Sequence, residues 1–237
     1  MRAKPLAVIS VTEGNRMKRT LYCSIFVVLA TLSYAQQAAP AKTSDAIWAD
    51  LMAGNARYVD GHTKTRSIVP LRQSLAKSQS PKVAVLACSD SRVAPEAVFD
   101  QSLGDLFVVP SAGNIADAIG IGSIEYAVEH LGSTVIVIVG HTSCGAVKAA
   151  CSGEKMPTAN LQAIVDQIDP AVKQAKGRGH EQGDALLDAA IRDNVQQSAK
   201  DLLARSLVLR HLVDEGKVSI VEALYHLDTG KVERLTN

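Results

Sequence analysis

The chain has 237 residues and a formal net charge of +1. That length suits one medium-sized domain with a real core, and that charge excludes the basic field a nucleic-acid-binding protein presents. Hydrophobic residues make up 47% of the chain but aromatics only 4%, so the core must be built from Val, Ile, Leu and Ala, as in α/β proteins with buried strands; four cysteines are too few for a disulfide scaffold.

The N-terminus reads as an export signal. "MKRT" (17–20) is followed by the apolar run "LYCSIFVVLATL" (21–32) and by "SYAQQ". A basic flank, an apolar core too short to span a bilayer, and small residues at Ser33 and Ala35 predict cleavage near Ala35–Gln36. Residues 1–35 are expected to leave as a signal peptide and 36–237 to form the domain, exported to a periplasm, with no membrane span in the mature form. The stretch before Met17 is long for such a flank, which points to Met17 as the translation start. Cys23 leaves with the signal; Cys88, Cys144 and Cys151 remain. Exposed thiols are a liability outside the cytoplasm, and a metal would occupy them.

In chain order, Thr43 or Ser44 caps a helix with Ile47, Trp48, Leu51, Met52 and Tyr58 on one face. A loop and a short helix near 71–77 follow. Val83–Ala87 is the first strand, "APEAVFD" a turn and short helix, and Asp105–Pro110 the second strand. "SAGN" is a turn. Asp117–His130 reads as a helix with Ile119, Ile121, Ile124, Ala127 and Val128 inward. Ser133–Gly140, apolar on both faces, predicts a central parallel strand, and a further helix begins at Cys144. Two amphipathic helices, 161–176 (broken by Pro170) and 184–215, are separated by "GRGHEQGD". "KVSIVEALYHLDTGKVERL" closes the chain as a strand, a turn and a short return. The alternation predicts an α/β fold with a mainly parallel sheet flanked by helices.

Ligands of such sheets lie beyond the carboxyl ends of the strands, and both chemically loaded stretches, "CSDSR" and "HTSCG", directly follow strands. Alone, Cys88 reads as a small buried hydrophobe and His141 as a loop histidine. Together Cys88, His141 and Cys144 form a thiolate–imidazole–thiolate set suited to zinc with a fourth position open. Asp90 and Arg92 lie on one side of an extended C-x-D-x-R run. There the guanidinium keeps the carboxylate ionised and oriented. Asp90 has two competing roles, partner of a metal-bound water or fourth ligand blocking the metal. Cys151, two helical turns beyond Cys144, reads as a helix residue facing the core.

These residues resemble the β-class carbonic anhydrases over about Trp48 to Leu235. "CSDSRVAPE" and "GHTSCGAV" are similar to that family's two zinc motifs. "SQSPKVAVLACSDSRV", "DLFVV…AGN", "SIEYAVEHLG" and "YHLDTGKVERL" are similar to the family too. The resemblance implies one zinc ion per chain held by Cys88, His141 and Cys144, and zinc-hydroxide hydration of carbon dioxide to bicarbonate and a proton. Asp90 and Arg92 would be the dyad orienting that hydroxide. Gln79 would orient substrate, Phe107 would be an apolar wall, and Gly145 would turn its N–H to the substrate. It also implies an N-terminal helical arm around a partner, in a homodimer or higher even oligomer with the active cleft at the dimer interface. The family usually carries Arg where this chain has Pro110, and Pro brings neither charge nor N–H. Some bacterial members bind inhibitory bicarbonate through that Arg and a Trp three residues before the first zinc cysteine, where this chain has Val85; that regulatory site is expected to be absent. Two rival readings are a hydrolase of carbon disulfide or carbonyl sulfide using the same ion, and a zinc-binding sensor without turnover.

Overall fold

The computed structural model describes residues 43–179 and 182–236; the expected signal peptide lies outside them. A five-stranded sheet, ordered β2-β1-β3-β4-β5, comprises β1 (Val83–Cys88), β2 (Leu106–Ser111), β3 (Val135–His141), β4 (Ser219–Tyr225) and β5 (Val232–Arg234). The first four run parallel and only β5 is antiparallel to its neighbour, as the alternating pattern predicts. β1 and β3 are buried along their whole length, which explains their unbroken apolar runs.

Alternate residues of these strands feed two cores. Val83, Val85, Ala87, Val135, Val137 and Val139 face one side. Helix α1 (Ser44–Val59) closes that side with buried Ile47 and Leu51, and with Trp48, Met52 and Tyr58 packed at its margin. Thr43 Oγ1 caps α1 by accepting from Ala46 N–H. Ala84, Leu86, Ile136 and Ile138 face the other side, under α4 (Ala118–Glu129) and α7 (Gly183–Arg205). A third core at the carboxyl end of the sheet packs Cys88 and Cys144 against α5 (Gly145–Ser152), α6 (Ala159–Gly177) and α7. Two short helices, α2 (Ile68–Ser74) and α3 (Pro95–Val98), flank β1 in sequence, and α8 (Leu207–Asp214) precedes β4.

Three sequence expectations fail on identifiable physics. Pro170 does not break its helix: α6 runs through it. Pro170 and Asp166 are both exposed, so the bond that the missing N–H would have made is forgone on the solvent side of the helix. Burial of Val165, Ile168 and Val172, at roughly 1.5–3 kcal/mol each, outweighs the ~3 kcal/mol a helical proline costs. The stretch 184–215 is two helices, because Ser206 turns extended (φ −118°, ψ 108°) and its Oγ accepts from Leu209 N–H at 3.1 Å, an N-cap inside an apolar pattern. Ile119 does not face the core; it is 81% exposed on α4. Pro110 lies in β2, where a proline is tolerated because β2 is an edge strand with one side of its ladder unpaired.

Candidate metal centre

β1 ends at Cys88 and β3 ends at His141, and the two strands are adjacent in parallel register, so their carboxyl ends converge. The chain then turns through Thr142 and Ser143, the latter at φ +58°, and brings Cys144 back as the N-cap of α5. The two sulfurs and an imidazole nitrogen all lie within 4.8 Å of one another, each from a buried residue. His141 is fully buried. Its Nδ1–H donates to the Thr142 carbonyl at 2.9 Å, which fixes the tautomer and leaves the Nε2 lone pair free. Nε2 is buried and without a hydrogen-bond partner, an arrangement that costs a kilocalorie or more unless something takes the lone pair (about 1–3 kcal/mol).

The electrostatics fit a cation. The Cys88 thiol is pushed down to about 4 by hydrogen bonding from Cys144, against the opposing effect of burial, with His141 and the Gly113 N–H adding to the shift. Cys144 is pushed far up by that same hydrogen bond and by burial. A divalent ion bound here would displace the remaining thiol proton, leaving both sulfurs as thiolates. Burial alone would lower His141, but the neighbouring Cys88 thiolate holds it above its ordinary value. A soft donor pair plus one imidazole suits zinc, and three protein ligands leave a fourth position open.

Asp90 stands at the rim, with its Oδ2 3.9 Å from His141 Nε2. It is outside the three-residue cluster. Both its oxygens are engaged by Arg92: Oδ1 accepts from the backbone N–H at 3.0 Å and from Nε at 2.9 Å, and Oδ2 accepts from Nη2 at 2.7 Å. This fork holds the Asp90 carboxyl well below the usual carboxylate range, the Arg92 side chain being the largest cause. Gly145 is exposed at the first turn of α5, beside the cluster.

Gln79 and Phe107 are not brought to this centre. Phe107 pairs in register with Ala84, four residues before Cys88, which puts it about 13 Å up the sheet at the ~3.3 Å rise of a strand. Its ring packs instead on Tyr126, centroids 6.2 Å apart. Gln79 is exposed ahead of β1, at the amino end of the sheet, opposite the ligands. Cys151 is half-buried against the third core, its thiol raised by burial. Sequence reasoning also missed the Thr142 carbonyl, the Gly113 N–H and the Asn194 side-chain amide, which shape the site; of these only Gly113 lay in a turn that the sequence marked, "SAGN".

The sequence profile of the family described as Carbonic anhydrase matches residues 83–232. The chain is 39% identical over 192 residues to a carbonic anhydrase of Mycolicibacterium smegmatis, covering 79% of this chain and 91% of that one. In structure it is similar to the β-carbonic anhydrase CafA of Aspergillus fumigatus, with a TM-score of 0.64, 26% identity and coverage of 81% and 89% of the two chains. A tetrameric β-carbonic anhydrase of Sordaria macrospora shares the fold with a TM-score of 0.65 at 20% identity, covering 91% of this chain and 98% of that one. Given these likenesses and the geometry above, the chain belongs to the carbonic anhydrase family and is an enzyme of its β class.

Proposed function

We propose that the protein reversibly hydrates carbon dioxide to bicarbonate and a proton at one zinc ion per chain, held by Cys88, His141 and Cys144. The observation that carries this reading is the buried triangle of two sulfurs and an orphaned imidazole nitrogen with an ion-paired carboxylate beside it. Zinc, when bound, lowers the pKa of a water toward neutrality and so supplies hydroxide at ordinary pH.

Asp90 is the residue that aims the nucleophile. With Arg92 holding both of its oxygens, the carboxylate stays ionised and would accept a hydrogen bond from the O–H of the hydroxide that zinc would supply, leaving that oxygen's lone pair for carbon dioxide. The same fork keeps Asp90 out of the ligand set and supports the open form of the site. Gly145, exposed at the first turn of α5, would offer its N–H to a substrate oxygen in this reading. Val85 is fully buried and Pro110 is exposed on the edge strand, which supports absence of the regulatory bicarbonate site.

Gln79 and Phe107 serve a neighbour's centre in this reading. They lie far from the ligands of their own chain. Phe107 also lines a groove of about 300 Å³ with Val109, Pro110 and Ile119 along the unpaired edge of β2. A homodimer or higher even oligomer that joins these edges would bring them to the partner's zinc. The likeness to a tetrameric relative and the exposed Ile119 and Tyr126 support assembly. Among the described residues no helix is long and apolar enough to cross a membrane; export to a periplasm remains part of the proposal, resting on residues 17–36. The test is a pair of variants: Cys88→Ala should lose both bound zinc and hydration, and Asp90→Asn should keep zinc and lose hydration. Wild-type rates in zinc-free Cys88→Ala would refute the assignment.

A further inference from the structure

The loop that follows β2 is strained and tightly held. Gly113 is at φ +73° and Asn114 at φ +46°, conformations that ordinary side chains avoid. A Cβ on Gly113 would lie 2.7 Å from Ile168 Cδ1 of α6, so the backbone is pressed against the helices. In this posture the Gly113 N–H donates to Cys88 Sγ at 3.3 Å inside the protein. The clamp comes from α7. Asn194, 1% exposed, donates from Nδ2 to the Gly113 carbonyl at 2.7 Å. One turn on, Ser198 Oγ reaches the Asn114 carbonyl at 2.9 Å. α7 gets this close because Gly140 has no side chain: a Cβ there would sit 2.5 Å from Val195 Cγ2.

We propose that Asn194 is a positioning residue for the metal centre. It fixes the Gly113–Asn114 turn so that the Gly113 N–H stays on the Cys88 sulfur and draws off part of the charge that this thiolate gives the metal. A less electron-rich sulfur leaves the ion more electrophilic and its water more acidic. Thiolate ligation otherwise works against a nucleophile at neutral pH, and this bond offsets it. The proposal rests on the zinc reading above.

The test uses cobalt(II) in place of zinc, which reports the thiolates directly. In Asn194→Ala, and in the gentler Asn194→Ser, the sulfur-to-cobalt absorption should move to longer wavelength, because the sulfur lone pair rises in energy when the N–H is lost. In the zinc forms the pH midpoint of hydration should move upward, with a loss of about 10-fold in rate at neutral pH. Asp193→Asn is the control. It removes a buried carboxylate of the same helix that is paired to Arg178 and should lower Tm while leaving band and midpoint in place. Should both Asn194 variants fail to fold, cadmium-113 in the wild type gives the answer: scalar coupling between the metal and the Gly113 amide proton supports the bond, and its absence overturns it. Folded Asn194 variants with an unmoved band and midpoint overturn the proposal alone. A wild type that takes up no cobalt, cadmium or zinc overturns the functional reading as well.

Discussion

Asp90 and Arg92 are two residues apart, yet they differ sharply in exposure: the Asp90 side chain is 18% exposed and that of Arg92 57%. The guanidinium therefore reaches out to solvent while its fork fixes the orientation of the carboxylate. Asp90→Asn should keep about the native zinc content and lose on the order of 100-fold in kcat/KM, the scale of a single positioned proton acceptor; inductively coupled plasma analysis with stopped-flow kinetics checks both halves. Zinc-edge absorption at pH 8 should show two sulfurs, one nitrogen and a water oxygen. A carboxylate oxygen in the fourth position would mean that Asp90 binds the metal. Cys88, His141, Cys144, Asp90 and Arg92 were all legible in the sequence because each lies within a few residues of a strand end that its own apolar run announces. Asn194 was not, because its partner is 81 residues away and a lone Asn in a helix carries no local sign of what its amide holds.

At the level of elements, the sheet is braced by buried charge and by close approach. Asp100, at φ +47° after α3, ties three segments together. It pairs with Arg57 of α1 and Arg66 of the following loop and accepts from the Lys64 N–H. Burial would raise this carboxyl, but Arg66 and Arg57 overcome it and hold it down to about 2. Because the folded value lies below the ordinary ~3.9, the clamp contributes stability above about pH 4 and loses it as pH falls toward 2. The Tm difference between wild type and Asp100→Asn should be largest near pH 6 and shrink below pH 4; a difference independent of pH would show that the carboxylate's charge does not matter. Gly140→Ala pushes α7 off β3 and should cost about 1–3 kcal/mol, read as a Tm loss of several degrees. The existence of the strands and the central place of β3 followed from apolar runs, and a cap at Thr43 or Ser44 from residue type. The continuity of α6 through Pro170 and the break at Ser206 did not, since each is decided by what the helices pack against and not by local propensity.

For the whole molecule, what the sequence left hidden is how far Gln79 and Phe107 stand from the ligands of their own chain. Gln79 lies ahead of β1 and Phe107 is held level with Ala84 by the register of β1 with β2, both away from the carboxyl end where Cys88, His141 and Cys144 converge. Ile119, expected inside, is a surface residue that shares a groove with Phe107. Periodicity cannot distinguish a face buried in the core from one buried against a second copy. Ile119→Asp should therefore shift the protein to a smaller species in analytical ultracentrifugation and lower activity with zinc retained; full activity in a monomer would separate assembly from catalysis. The assignment of zinc-dependent hydration is tested most directly by stopped-flow measurement of carbon dioxide hydration before and after chelation. Catalysis should fall to the uncatalysed rate when zinc is removed and return when zinc is restored. A fully zinc-loaded protein that leaves the uncatalysed rate unchanged would contradict it.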